Sequence, residues 1–113
     1  MKNLRNKVQL IGNLGVTPQV TTLDNGNTLA KFSLATSETY TSKDGEKITD
    51  TQWHQIVAWG KTAQFAGNYL DKGSRIALEG KLTNRMYQDK DGVKRYIVEV
   101  VAHELLSLSK KEE

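Results

Sequence analysis

Two tryptophans, Trp53 and Trp59, stand six residues apart in a run over residues 52–60 that is apolar on both parities. In an extended strand, residues an even number apart share a face, so the two indoles lie together, opposite His54, Ile56 and Ala58. Farther along, Tyr87 shares parity with Arg85 and Lys81 rather than with Leu82 and Leu78. Rings turned to solvent among cations are costly to hydrate and suited to stacking. An unpaired nucleobase laid on such a ring gains about 1–3 kcal/mol whatever its identity, because every base has a π-face. The same rings could instead cover a subunit contact, cap a barrel, or serve as hot spots for a protein or an oligosaccharide. Tyr40 continues the inward phase of Phe32, Leu34 and Thr36, yet it stands beside a turn at residues 42–47. It is expected to join the platform as a weaker member. Phe32, Phe65, Tyr69 and Tyr96 fall on core phases and need no function.

Other chemistries find less support. Gly60-Lys61-Thr62 follows a strand and opens a helix, the setting of a phosphate-binding loop, and motivates a nucleotide-handling enzyme as an alternative. That loop needs a glycine five positions before Gly60, where this chain has Gln55. His54 shares parity with apolar Ile56 and Ala58, which suits a core or interface histidine better than a base or a ligand. Asp89-Lys90-Asp91-Gly92 hints at a calcium loop, but alignment on Gly92 puts Tyr87 first and Val98 twelfth, where carboxylates belong. No Gly-x-Ser-x-Gly elbow occurs, and the absence of cysteine excludes thiolate catalysis and Cys-based zinc sites. Neither catalysis, a cofactor nor a metal is expected.

The elements that position these rings are mostly strands. The 113 residues make one domain. Sixteen basic and 13 acidic side chains leave a net charge of +3, which favours a polyanionic partner only if the cations share a face. Apolar runs such as residues 56–59 fall far short of the roughly 18 residues that a membrane span needs. Composition therefore reads as a soluble, intracellular protein. Apolar and polar residues alternate over 30–36 and 76–82; Val8 and Leu10 start a first strand, and Tyr96, Val98, Val100 and Ala102 mark a last one. Asp24-Asn25-Gly26-Asn27, Lys43-Asp44-Gly45-Glu46 and Asp89-Lys90-Asp91-Gly92 supply hairpin turns. Residues 62–72 break the alternation with a helical spacing of Ala63, Ala66 and Leu70, and Gly73 suits the position just past the helix end. Five strands with one short helix between the third and fourth predict an all-β OB-fold, a five-stranded Greek-key barrel. The barrel domain is expected over 1–108, with 109–113 a short disordered C-terminus.

Read in order, several short stretches resemble the bacterial single-stranded DNA-binding protein family. They include Ile11-Gly12-Asn13-Leu14-Gly15, Ala35-Thr36-Ser37-Glu38, Thr51-Gln52-Trp53-His54, Trp59-Gly60-Lys61, Tyr69-Leu70-Asp71-Lys72-Gly73 and Asp91-Gly92-Val93-Lys94-Arg95-Tyr96. The resemblance runs from about Asn6 to Glu104. It implies sequence-independent binding and protection of single-stranded DNA in replication, recombination and repair. Stacking would fall on Tyr40, Trp53, Trp59 and Tyr87, and phosphate contact on Arg5, Lys7, Lys61, Lys72 and Arg85. His54 matches a residue of the family's subunit interface, and the assembly implied is a homotetramer associated with the nucleoid in the cytoplasm. Tyr40 and Tyr87 stand where tryptophan is common, Trp59 where phenylalanine is usual, and Gln55 where arginine often sits. Replication and repair proteins stay open as partners, but the family's usual acidic recruiting tip is absent after residue 108, so recruitment through such a tip is not claimed. A primosomal-type OB protein, which binds single-stranded DNA but acts mainly by docking on replication partners, is the runner-up.

Overall fold

The structure, a computed structural model, describes residues 5–108. The reading of 109–113 as a disordered C-terminus lies outside the described residues. Six strands and one helix follow in the order β1 (Val8–Leu14), β2 (Gln19–Thr22), β3 (Thr28–Thr41), β4 (Lys47–Trp59), α1 (Gly60–Tyr69), β5 (Arg75–Gln88) and β6 (Lys94–Ser107). They form one sheet in the order β1-β5-β6-β4-β3-β2, and β1 pairs again with β3. That second pairing, Asn13 with Ala35 and Leu14 with Leu34, closes β1, β3, β4, β5 and β6 into a five-stranded barrel. The expected OB architecture is the one observed.

The core follows from the alternation. Phe32 and Leu34 of β3, Ile56 and Ala58 of β4, and Ile76 and Leu78 of β5 point inward and are buried. Ala63, Ala66 and Leu70 bring α1 and the residue after it into the same cluster. Fully burying a leucine or isoleucine is worth about 1.5–3 kcal/mol, so this stripe carries most of the barrel's stability. β2 is the strand that the five-strand reading leaves out. Its residues Gln-Val-Thr-Thr are all exposed, so they carry no inward phase to read, and they hydrogen-bond along the edge of β3.

The helix starts and stops earlier than its spacing predicts, over Gly60–Tyr69 rather than 62–72. Leu70 leaves the helix in an extended conformation, and its side chain turns into the core. Gly73 therefore lies in a separate turn, at φ +90°, and donates its N–H to the Leu14 carbonyl at 2.8 Å.

β3, β4, β5 and β6 are far longer than a closed barrel can use. Fourteen residues of β5 span about 46 Å at 3.3 Å per residue. Their inward alternation is buried only in part: up to Leu34 on β3, with Thr36 half-buried, and up to Gly80 on β5. Beyond those points the β3–β4 and β5–β6 pairs continue as two-stranded arms. β4 and β6 run parallel where they meet, at Ile56–Ala58 against Val100–Ala102, and each begins at its arm's tip. Both arms therefore leave the same end of the barrel. This geometry corrects the reading of Tyr96 as core. On the β6 arm the inward phase meets solvent, and Tyr96 is 75% exposed. Tyr69 is likewise 68% exposed, because α1 buries its alanine stripe and leaves Tyr69 tilted against half-buried Phe65, ring centres 5.2 Å apart.

All three expected hairpin turns close in the same way. Leu23, Ser42 and Asp89 each donate an N–H to the carbonyl four residues on, and Gly26, Gly45 and Gly92 each donate back to the first residue's carbonyl. The three glycines have φ between +79° and +87°, the left-handed position that a three-residue hairpin loop with a glycine bulge demands.

Candidate nucleic-acid interface

Strand register fixes which side chains share the platform. On β3–β4, Ala35 opposes Trp53, Ser33 opposes Gln55, Lys31 opposes Val57 and Leu29 opposes Trp59. All eight lie on the outward face. The parallel junction places Val57 beside Val101, and β6 in turn pairs Val101 with Lys81, Ile97 with Arg85 and Arg95 with Tyr87. Trp59, Trp53 and Tyr87 therefore belong to one continuous outer surface. Six residues of strand separate the two indoles by about 20 Å, room for several nucleotides between them. Trp53 is 61% exposed, Trp59 45%, Tyr87 45% and Tyr40 54%. Tyr40 opposes Ile48 and keeps the phase of Thr36 and His54, so it sits on the opposite face of the β3–β4 arm from Trp53. The four expected stacking residues are thus exposed, but three share a face and Tyr40 is on the other.

The cations differ in how they are held. Lys61 stands in the first turn of α1, two residues after Trp59. Lys72 follows α1, and its backbone N–H reaches Thr17 Oγ1 at 3.3 Å, which brings it to the β1–β2 loop. Neither Lys61 nor Lys72 makes an ion pair among the described residues. Arg5 precedes β1 and is exposed; the neighbouring Asn6 is clamped to Leu82, donating to its carbonyl at 2.9 Å and accepting its N–H at 3.0 Å. Lys7 is engaged by Glu79 at 2.8 Å. Arg85 is engaged more tightly, donating from Nε and Nη2 to the two carboxylate oxygens of buried Glu99 at 3.3 and 3.2 Å. That bidentate bond and the carboxylate charge raise the guanidinium pKa above its ordinary value. Lys61 and Lys72 are therefore not tied up in ion pairs among the described residues, while Lys7 and Arg85 are neutralised in place.

Two further cations share the outer face without having been singled out from the sequence. Lys31 sits between the tryptophans, cross-strand from Val57, and is exposed. Its parity in the alternating β3 run is the signal, but only the β3–β4 register shows that this parity is also Trp53's. Arg95 lies opposite Tyr87 and donates to Asp89 Oδ2 at 3.0 Å.

His54 is half-buried on the inward phase of β4, with its Nε2 2.9 Å from Thr36 Oγ1. Among the described residues no group of His, Cys, Asp and Glu could hold a metal ion, and no helix is long and apolar enough to cross a membrane.

This geometry has close counterparts. Residues 5–108 match the Single-strand binding protein family. The single-stranded DNA-binding protein of Neisseria meningitidis, in serogroups A and B alike, is 44% identical over 108 residues, 96% of this chain and 62% of its own length. This chain thus spans under two thirds of that relative. Single-stranded DNA-binding protein 1 of Xylella fastidiosa is 43% identical over 96% of this chain and 80% of its own. Among solved structures, a Plasmodium falciparum SSB in complex with ssDNA superposes with a TM-score of 0.85 at 31% identity, covering 96% of this chain and 98% of that one. With a family match across the whole barrel and relatives this similar, the chain belongs to the single-strand binding protein family.

Proposed function

We propose that this chain binds single-stranded DNA without regard to sequence and protects it during replication, recombination and repair. The observation that carries the reading is the pair of exposed indoles on one outward face with Lys31 between them. Bases stack on Trp53, Trp59 and Tyr87, and Tyr40 takes a strand that passes to the other face of its arm. Lys61, Lys72 and Lys31 meet phosphates directly. Lys7 and Arg85 do so by exchanging a carboxylate for a phosphate, and Arg5 extends the track at the N-terminal end.

Titration with oligothymidylate tests this. The strand should quench tryptophan fluorescence and should be poorly displaced by duplex DNA of equal length. Binding without quenching removes the platform, and equal competition by duplex or by a glycan removes single-strand selectivity.

A second feature supports self-association, the homotetramer being the expected assembly. On the outer face of β1, β5 and β6 the register lines up Ile11, Ala77 and Leu106, and Ile11 and Leu106 are more than half exposed. Apolar side chains in cross-strand register on an open sheet face are suited to a second copy of that face. His54 keeps its place as a subunit-contact candidate by its resemblance alone.

A further inference from the structure

We infer that Gly15 is a positioning residue: it seats the Trp53 indole and sets the angle at which that ring meets a base. This rests on the stacking role proposed for Trp53. Gly15 lies just past the end of β1 and is tied to β3 by its N–H, which the Ser33 carbonyl accepts at 3.0 Å. Trp53 is cross-strand from Ala35, and its indole leans over β3 until the far edge of the six-membered ring lies against Gly15. A Cβ built on Gly15 would collide with Trp53 Cζ3, lie 2.9 Å from Trp53 Cη2 and lie 2.8 Å from Ser33 Oγ. Any side chain at this position needs the space that the ring occupies. Gly15 does not have the positive φ that marks the hairpin glycines, so the backbone would accept alanine without strain. What yields is therefore the ring edge together with the Ser33 hydroxyl, both ends of side chains, and not the barrel.

The far edge of the ring is held at Gly15 while Trp53 as a whole is 61% exposed, so the indole is in contact and still open to solvent. Such a ring is preorganised, and stacking on it costs little rotamer entropy. A glycine that only relieved backbone crowding would show no dependence on the identity of residue 53.

The experiment compares Gly15→Ala, Trp53→Ala and the double variant, with Gly67→Ala as control, since a Cβ at Gly67 meets Val20 on β2, away from the platform. Gly15→Ala should keep its thermal midpoint and weaken oligothymidylate binding about 10-fold, the order expected when one ring stops stacking. Adding Gly15→Ala to Trp53→Ala should cost nothing more, and Gly67→Ala should bind as the wild type does. In a Trp59→Phe background, where Trp53 is the only indole, Gly15→Ala should reduce the near-ultraviolet circular dichroism of the DNA-free protein and raise acrylamide quenching. Unchanged Trp53 spectroscopy, or a full additional loss in the double variant, overturns the seat. Failure of the platform looks different: Trp53→Ala would then bind undiminished while Gly15→Ala still altered the Trp53 spectrum.

Discussion

A solvent-facing indole contributes little to folding, so its removal separates binding from stability. Trp53→Ala and Trp59→Ala should each weaken single-stranded DNA binding by about 1–3 kcal/mol, read by fluorescence anisotropy of a labelled strand. The unfolding midpoint should stay near that of the wild type. Trp59 precedes α1 at the N-cap, but no side-chain hydrogen bond caps the helix there, so alanine removes no cap. The charged residues make a different prediction. Lys7 holds the Glu79 carboxyl below its ordinary value of 4.5, chiefly through their hydrogen bond, with the lysine charge and the Gln9 amide adding to the effect and partial desolvation opposing it. A depressed carboxylate stabilises the fold above its unfolded pKa and loses that contribution as pH falls through the folded value. If a phosphate takes Lys7 from Glu79, Glu79→Gln frees the lysine in advance. That variant should bind oligothymidylate more tightly at low salt, because the contact no longer breaks the Lys7–Glu79 pair. Unchanged affinity would take Lys7 out of the phosphate track.

At the scale of elements, core and arms obey different rules. Leu78 lies inside the barrel, so Leu78→Ala should cost about 2–5 kcal/mol in urea unfolding and loosen the site only by unfolding it. The β5–β6 arm is held by its own turn. Asp89 Oδ1 accepts the N–H groups of Asp91 and Val93 at 2.9 and 3.0 Å, while Oδ2 accepts from Arg95 Nε. The Arg95 bond, then the backbone donors, push the Asp89 pKa below its ordinary 3.8. The order they give the tip is complete above about pH 4 and is lost as pH falls through the lowered pKa. Asp89→Asn should therefore speed amide exchange at residues 91–93 and leave the barrel amides protected. Equal protection in wild type and variant would show that the glycine turn alone orders the tip. This turn was legible because Asp89-Lys90-Asp91-Gly92 names both the acceptor and the left-handed residue. The arms were not. Alternation over Leu82, Val98 and Tyr96 looks the same whether the inward face meets a core or water, and only barrel closure at Asn13–Ala35 decides where the core ends. The same ambiguity misplaced Tyr96, while Tyr40 escaped it only through its nearness to a turn.

Over the whole molecule, a net charge of +3 says little, because its placement matters more than its sum. The outward face gathers Lys31, Lys81, Arg85 and Arg95 with three rings, and this gathering depends on strand order that no single segment records. The barrel and the platform parity were readable from alternation; the β3–β4 register that places Lys31 between the indoles required the fold. The remaining surface makes the final prediction. The apolar outer face of β1, β5 and β6 carries Ile11 and Leu106 half or more exposed, flanked by Gln9, Glu79 and Glu104. A lone copy would leave that face wet, and a second copy laid on it by a twofold axis would bury both. Leu106→Glu puts a carboxylate into that contact, and in a symmetric interface two unpaired charges are buried at once, which association cannot tolerate without large loss. Light scattering should show an oligomer for the wild type and a smaller species for Leu106→Glu, with circular dichroism and tryptophan quenching per chain unchanged. A wild-type chain that is monomeric at micromolar concentration, with and without a long oligothymidylate, would leave this face without a partner copy and restrict the binding site to one barrel.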